Sequence, residues 1–361
     1  MVNNLTTHFL SRIPQCKLLI IGGDFFDSLL SLSKPESNLM ISFIIDLLQQ
    51  ADRYEVIVRV LKGTFTHDRD QCHLFQVLHE KGGFTNDFRY VDTLCLEYIE
   101  ALDLKCLWVP DDLPFPSSDA IMEQVHQKLH DMNWDAVDHV FLHGAFEHVM
   151  PPDMPKLPAV TFRARQFAGI VTRSILCGHI HTSSAYTETF PEGDVHVYYG
   201  GSVERLAHGE EEPKGFLFVK SAPGTSTVEF VENTDATKFL TFDLSKYEQT
   251  ELAVQKYTRL VEKHFKPNEY GYVRVVHGST QVRNVLRKVT QTQYPTLTFS
   301  HKASQAAKAT AKIQTLITKQ DYPTPTVENL PGMLSDFLRT RLGATEEQVA
   351  GCLGVVSTLF D

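Results

Sequence analysis

KLLIIGGD, residues 17–24, is a short apolar run stopped by two glycines and a carboxylate. A run of this length bounded by turn residues reads as a buried strand. Working outward, the pattern repeats. Residues 37–50 carry apolar side chains at 40, 41, 44, 45, 47 and 48, which predicts a helix starting near Ser37. EVIVRVL (55–61) predicts the next strand, and a polar loop follows over 62–70. Residues 104–109, 138–142 and 174–177 are further strand-like runs, with a turn-rich break over 110–116 and a helix over 119–132. Strands alternating with helices, each strand ending in a polar loop, define an α/β chain.

After Gly193 the texture changes. VHVYYG, KGFLFVK and STVEFVE are short β runs with no long helix between them, which predicts an antiparallel sheet completing a second layer. Helices are expected over 249–264, 279–289 and 303–317, and a strand over 272–277. A proline-containing linker over 320–329 leads to two short amphipathic segments, 330–342 and 345–353. No internal repeat is visible.

The chain has 361 residues, 42% of them hydrophobic and 22% charged, which excludes a disordered or collagen-like polypeptide. No apolar run approaches the roughly 20 residues of a membrane span, and residues 1–17 show no basic flank followed by an apolar stretch, so no secretion signal is expected. Six scattered cysteines without a CxxC pair suit a reducing compartment and speak against a thiolate zinc site. The formal charge is −10, which argues weakly against nucleic acid. That average hides a segregation. Residues 271–320 hold no acid and eight bases, Arg274, Arg283, Arg287, Lys288, Lys302, Lys308, Lys312 and Lys319. Such a stretch is either a phosphate-facing surface or a solvated helical face.

Ligands of open α/β sheets collect at the carboxyl ends of strands. Four strand-end loops carry metal-binding chemistry: IIGGDFFD with Asp24 and Asp27, LKGTFTHDRDQ with His67 and Asp68, VFLHGAFEH with His143, and ILCGHIHTS with His179 and His181. On an extended segment, His-x-His places both rings on one side. Each histidine alone is an ordinary polar residue. Together, imidazoles and carboxylates on four such loops predict a site for a borderline divalent cation. The chemistry that suits it is phosphoester hydrolysis, where paired cations activate water and screen the developing charge. His67 suits a donor to the phosphate or leaving oxygen, and Asp68 suits a brace for His67 or its loop.

These motifs resemble those of the calcineurin-like metallophosphoesterases, most closely the Mre11/SbcD DNA-repair nuclease branch. GDxxD is matched by Gly23, Asp24 and Asp27. An altered GNHD is matched by GTFTHD, residues 63–68. The lone strand-end histidine is matched by His143, and GHxH by Gly178, His179 and His181. VYYGGSVERLAHGEEEPKGFLFV, residues 197–219, is similar to the nuclease branch's Y-x-GS-x-x-R…GE…KGF stretch. The resemblance covers about residues 15–240.

The resemblance implies a two-layer β-sandwich flanked by helices, the metallophosphoesterase fold, over residues 1–240. It also implies a smaller α+β capping domain facing DNA over 241–320, a linker over 321–329 and a helical partner-docking tail over 330–361. Asp24 would bridge two metals, His143 and His179 would bind the second and His181 the first. His67 would be the catalytic histidine with Asp68 beside it, and Asp27 a supporting carboxylate. Mn2+ is the implied cation, with Mg2+, Fe2+ and Zn2+ compatible with the ligands.

Two departures matter. The family opens with a strand ending in Asp-x-His that holds the first metal. Here GDxxD begins at residue 23 with no aspartate before it; His8, expected on a helix leading into the 17–21 strand, does not suit a ligand. The family's asparagine beside the catalytic histidine is also replaced, with Thr66 preceding His67 and Thr64 or the loop backbone left to compensate. Three outcomes stay open: another polypeptide supplies the first strand, the site holds one metal, or catalysis is weak or absent.

The expectation is therefore a metal-dependent DNA exonuclease and endonuclease subunit, binding backbone without sequence preference. Its partner would be an SMC-like, Rad50-type ATPase docked on the C-terminal helices. Homodimerisation is usual in that branch. A catalytically impaired scaffold that keeps DNA and ATPase binding is the alternative, and a small-molecule phosphodiesterase a third. A compact, diverged member suits a phage or other mobile element acting in its host's cytoplasm.

Overall fold

The computed structural model describes residues 5, 7–31, 34–150, 160–222, 224–302, 330–342 and 344–357. It has a mixed α/β fold. Strand β1 (Leu18–Ile21) pairs in parallel with β2 (Ile57–Leu61), which pairs in parallel with β3 (Phe88–Val91). The connections are the helices Pro35–Arg53 and His73–Gly82, as parallel pairing requires long crossovers. The first begins before Ser37 because Pro35 fixes a helical φ at its opening turn. The Ser37 hydroxyl instead donates to the Ser31 carbonyl at 2.7 Å.

Strands β4 (Cys95–Ile99), β5 (Leu104–Val109) and β6 (Val137–His143) follow, then the short parallel pair β7 (Ala145–Phe146) and β8 (Thr161–Phe162). After them come β9 (Val171–Gly178), β10 (Ser184–Phe190) and β11 (Gly193–Tyr199). Six of these form one sheet in the order β10-β11-β9-β6-β5-β4. Strand β11 was expected in an antiparallel sheet with the later β runs. It runs parallel to β9, because the β10–β11 hairpin returns the chain in the direction of β9. Only β12 (Gly215–Ala222) and β13 (Thr225–Glu232) form the expected antiparallel pair.

Three buried clusters set the layers. Leu19, Ile21, Val58 and Val60 pack with Phe43, Ile44 and Leu47 of the first helix. Leu107, Val140, Leu142 and Ile175 of the six-stranded sheet pack with Ile121, Val125 and Leu129 of helix Ser118–Asp131. Between the sheets, Ile57, Leu61 and Val91 share a cluster with Trp108 and Phe141, whose rings stack 4.5 Å apart. Arg59 of β2, 3% exposed, donates to both Glu97 oxygens of β4 and to Asp87, so the cation between the sheets is paired as burial demands.

Helix Ser118–Asp131 starts where Ser117, in extended backbone, accepts the Ala120 N–H. Ser117→Ala removes that bond and should lower unfolding free energy by about 1 kcal/mol. A shifted urea midpoint with an unchanged slope is the check.

Strands β14 (Lys238–Asp243), β15 (Gly271–Val276) and β16 (Leu297–Lys302) form a three-stranded sheet in that order. The chain divides into two compact units: Met1–Thr241, Phe265–Arg274 and Gln293–Phe299 in one, and Phe242–His264, Val275–Thr292 and Ser300–Asp361 in the other. Within the second, Tyr257 and Thr290 join helices Thr250–His264 and Thr280–Gln293 through a 2.5 Å hydroxyl pair. Also in that unit, Arg339 of helix Leu330–Leu342 holds Glu346 at the start of helix Glu346–Ser357. The expected helix over 303–317, the linker over 320–329, and Lys308, Lys312 and Lys319 lie outside the described residues. Cys16, Cys72, Cys95, Cys106 and Cys177 are free thiols. Among the described residues no helix is long and apolar enough to cross a membrane.

Candidate metal centre

Four strand ends meet at one rim of the first unit. After β1, Gly23 (φ 86°) and Asp24 (φ 50°) turn the chain in left-handed backbone. After β2, Gly63 passes so close that a Cβ there would lie 2.1 Å from the Asp24 amide nitrogen; only glycine fits. His143 is the last residue of β6. Strand β9 ends at Gly178, and His179 follows at φ 82°. Left-handed backbone at a non-glycine residue is costly, and such residues cluster at functional sites.

His143 Nε2 lies 3.1 Å from Asp24 Oδ2, and His179 Nδ1 lies 3.7 Å from the same oxygen. Ligand atoms of Asp24, His143 and His179 all fall within 4.8 Å of one another. Thr64 caps the group. Its N–H donates to Asp24 Oδ1 at 2.6 Å, and its hydroxyl lies 3.2 Å from Asp24 Oδ2, His143 Nε2 and His179 Nδ1 alike. His143 Nδ1–H donates to the Gly22 carbonyl at 2.6 Å, which leaves Nε2 facing the group, a donor to Asp24 when the ring is protonated and a lone pair when it is neutral. The His143 side chain is fully buried, while that of His179 is 34% exposed, so the group is open on one side.

Burial opposes ionisation of Asp24, but hydrogen bonds from His143 and His179 and the nearby imidazole charge hold its carboxyl far below the usual range. Burial disfavours protonation of His143, yet the Asp24 carboxylate outweighs it and the ring is more basic than usual. A carboxylate and two imidazoles converging on one point suit a divalent cation of borderline softness. The residues present therefore fit a metal, and Asp24, His143 and His179 would hold it.

The other expected site residues lie in different settings. His67 and Asp27 face each other at 4.0 Å, the histidine half-buried and the aspartate exposed. Asp68 is fully buried. Its Oδ1 accepts the Phe26 N–H at 2.8 Å and its Oδ2 the Cys72 thiol at 3.1 Å. Asp68 thus ties the loop after β2 to the loop after β1, and burial raises its pKa. His8, expected on a helix, is helical and pairs with Asp235 at 2.8 Å.

His181 does not join the three-residue group. The expectation that both rings of His-x-His face one side assumed an extended path, and the left-handed His179 breaks it. His181 Nδ1 instead lies 3.4 Å from Glu210 Oε1. Glu210 is bound to Lys214, which is fully buried and also reaches Glu212 and the His181 carbonyl. The GEEEPKGF stretch was legible as a motif, but nothing in it announced Glu210 as the partner of His181.

No family model matches the chain, and no curated protein matches it.

Proposed function

We propose that this chain is a divalent-metal phosphodiesterase of the calcineurin-like type, acting on the DNA backbone. The observation that carries the reading is the convergence of Asp24, His143 and His179, capped by Thr64, where strand ends of two facing sheets meet. A divalent cation held by Asp24, His143 and His179 would supply an activated water and charge compensation for the phosphoryl oxygens. Asp24 presents one oxygen to the histidines while the Thr64 amide fixes the other. The Gly22 carbonyl holds the His143 ring in orientation. His67, half-buried beside Asp27, is the residue to which this reading assigns the proton for the departing oxygen. Mn2+ is the favoured ion, and Fe2+, Zn2+ and Mg2+ are tested beside it.

The metallophosphoesterase sandwich belongs to the same reading, supported by the helix-sheet-sheet-helix clusters. Arg274, Arg283, Arg287, Lys288 and Lys302 supply charge for phosphate contacts, and helices Leu330–Leu342 and Glu346–Ser357 a docking element for an SMC-like ATPase. One observation favours the second reading, an impaired enzyme or scaffold: His181 is engaged with Glu210, so three rather than four of the expected principal ligands converge.

The deciding experiment is hydrolysis of linear duplex DNA with and without Mn2+. The enzyme reading expects metal-dependent cleavage that His179→Ala abolishes. Salt-sensitive DNA binding without cleavage in any of the four metals establishes the scaffold, and unchanged rates in His179→Ala reject the assigned centre.

A further inference from the structure

The layer facing the six-stranded sheet is in two pieces, β1-β2-β3 and β12-β13. Both pieces lie over the same face of that sheet. Phe141 of β6 shares a buried cluster with Ile57 and Leu61 of β2. His139, two residues earlier and so on the same face of the strand, meets Ser221 of β12 at 3.2 Å. Between the pieces lies a cavity of about 860 Å³. Phe141 and Leu176 are among its floor residues, Leu18 and Ile20 line one wall, and Phe216 and Phe218 line the other. Asp24, His179 and His181 also border it.

The wall made by β1 is a strand edge. The Ile57 N–H donates to the Lys17 carbonyl. In a parallel ladder successive residues turn to opposite edges, so Leu18 and Ile20 direct their N–H and C=O groups away from β2. Among the described residues no strand pairs with that edge. Unpaired backbone beside an apolar floor is a template for strand addition. A lipid or apolar small molecule would fill the volume but leave those donors and acceptors unmet. One inserted strand joins three strands and two into six, the number in the sheet opposite.

We infer that this slot receives an extended segment of a partner polypeptide, apolar at alternate positions, which hydrogen-bonds to Leu18 and Ile20 and closes the second layer into one sheet. Strand addition requires no cation, so it stands or falls apart from the proposed hydrolysis.

The test is residue-resolved amide hydrogen exchange on the full chain. A peptide of about nine residues alternating valine and threonine, roughly 30 Å when extended, is joined to Met1 through a flexible glycine-serine linker. The linker raises its effective concentration to the millimolar range. Exchange at Leu18 and Ile20 is expected to slow by at least about tenfold relative to the chain without the peptide. Leu19, already bonded toward β2, should change little. A second version with proline at alternate positions cannot donate those bonds and should leave exchange unchanged. No slowing, or equal slowing with the proline version, overturns the inference. So does protection in the untagged chain, which means the edge is filled from within if independent of concentration, or by a second copy if it grows with concentration.

Discussion

Asp24→Asn should lower the affinity for the proposed cation, assayed with Mn2+, by at least about a hundredfold, because even the outer partners of metal ligands are worth 10–100-fold. The substitution is nearly isosteric. The asparagine carbonyl still accepts the Thr64 N–H that now bonds Oδ1 at 2.6 Å, so the loop after β2 keeps its anchor. What is lost is the negative charge beside two imidazoles. An amide cannot supply it, and its NH2 turns a donor toward His143 Nε2. The measurement is stabilisation by metal. For the wild-type chain at a Mn2+ concentration 100 times Kd, linkage gives about 2.7 kcal/mol. The variant at the same concentration should show well under half of that. Equal stabilisation of the two proteins would place the metal elsewhere.

Lys214→Met should cost about 3 kcal/mol of stability at neutral pH, by stranding partly buried carboxylates without their cation. The Lys214 side chain is 0% exposed and its ammonium lies 2.9 Å from Glu210 and 2.8 Å from Glu212. Burial opposes ionisation of both acids, and Lys214 overcomes it, holding each carboxyl below its ordinary value of 4.5. The sign of the pH dependence follows. Groups whose folded pKa is depressed stabilise the fold above the unfolded value and lose that contribution as pH falls through the folded one. The gap between wild type and variant should therefore be widest near neutrality and narrow below about pH 4.5. Denaturant titrations at both ends of that range decide it. A gap that does not change with pH would mean that packing of the lysine stem, not its charge, is what the variant removes.

Much of this arrangement was legible in the sequence. KLLII followed by two glycines marked β1, and strand runs ending in polar loops put Asp24, His143 and His179 at one rim. That worked because strand direction and loop position follow from periodicity and topology alone. The failure at His181 has a different source, since side-chain direction depends on single backbone angles that periodicity does not encode. His179 at φ 82° sends His181 toward Glu210. The helix His73–Gly82 and strands β3, β4, β10, β14 and β16 were not read as elements at all. Strand β10 alternates half-buried with exposed residues and has no fully buried position, so it carries little of the apolar signal that marks a central strand. Thr64 had been noted only as a substitute for a missing amide ligand, yet its hydroxyl contacts all three members of the group.

The left-handed turns at Asp24 and His179 carry a consequence for how this chain can evolve. Each holds a side chain in backbone that glycine would adopt at lower energy. Glycine at both sites would relax the turns and raise thermal robustness, at the loss of two of the three converging ligand groups. An acid and an imidazole held in such backbone exchange thermal robustness for a point where ligand atoms converge.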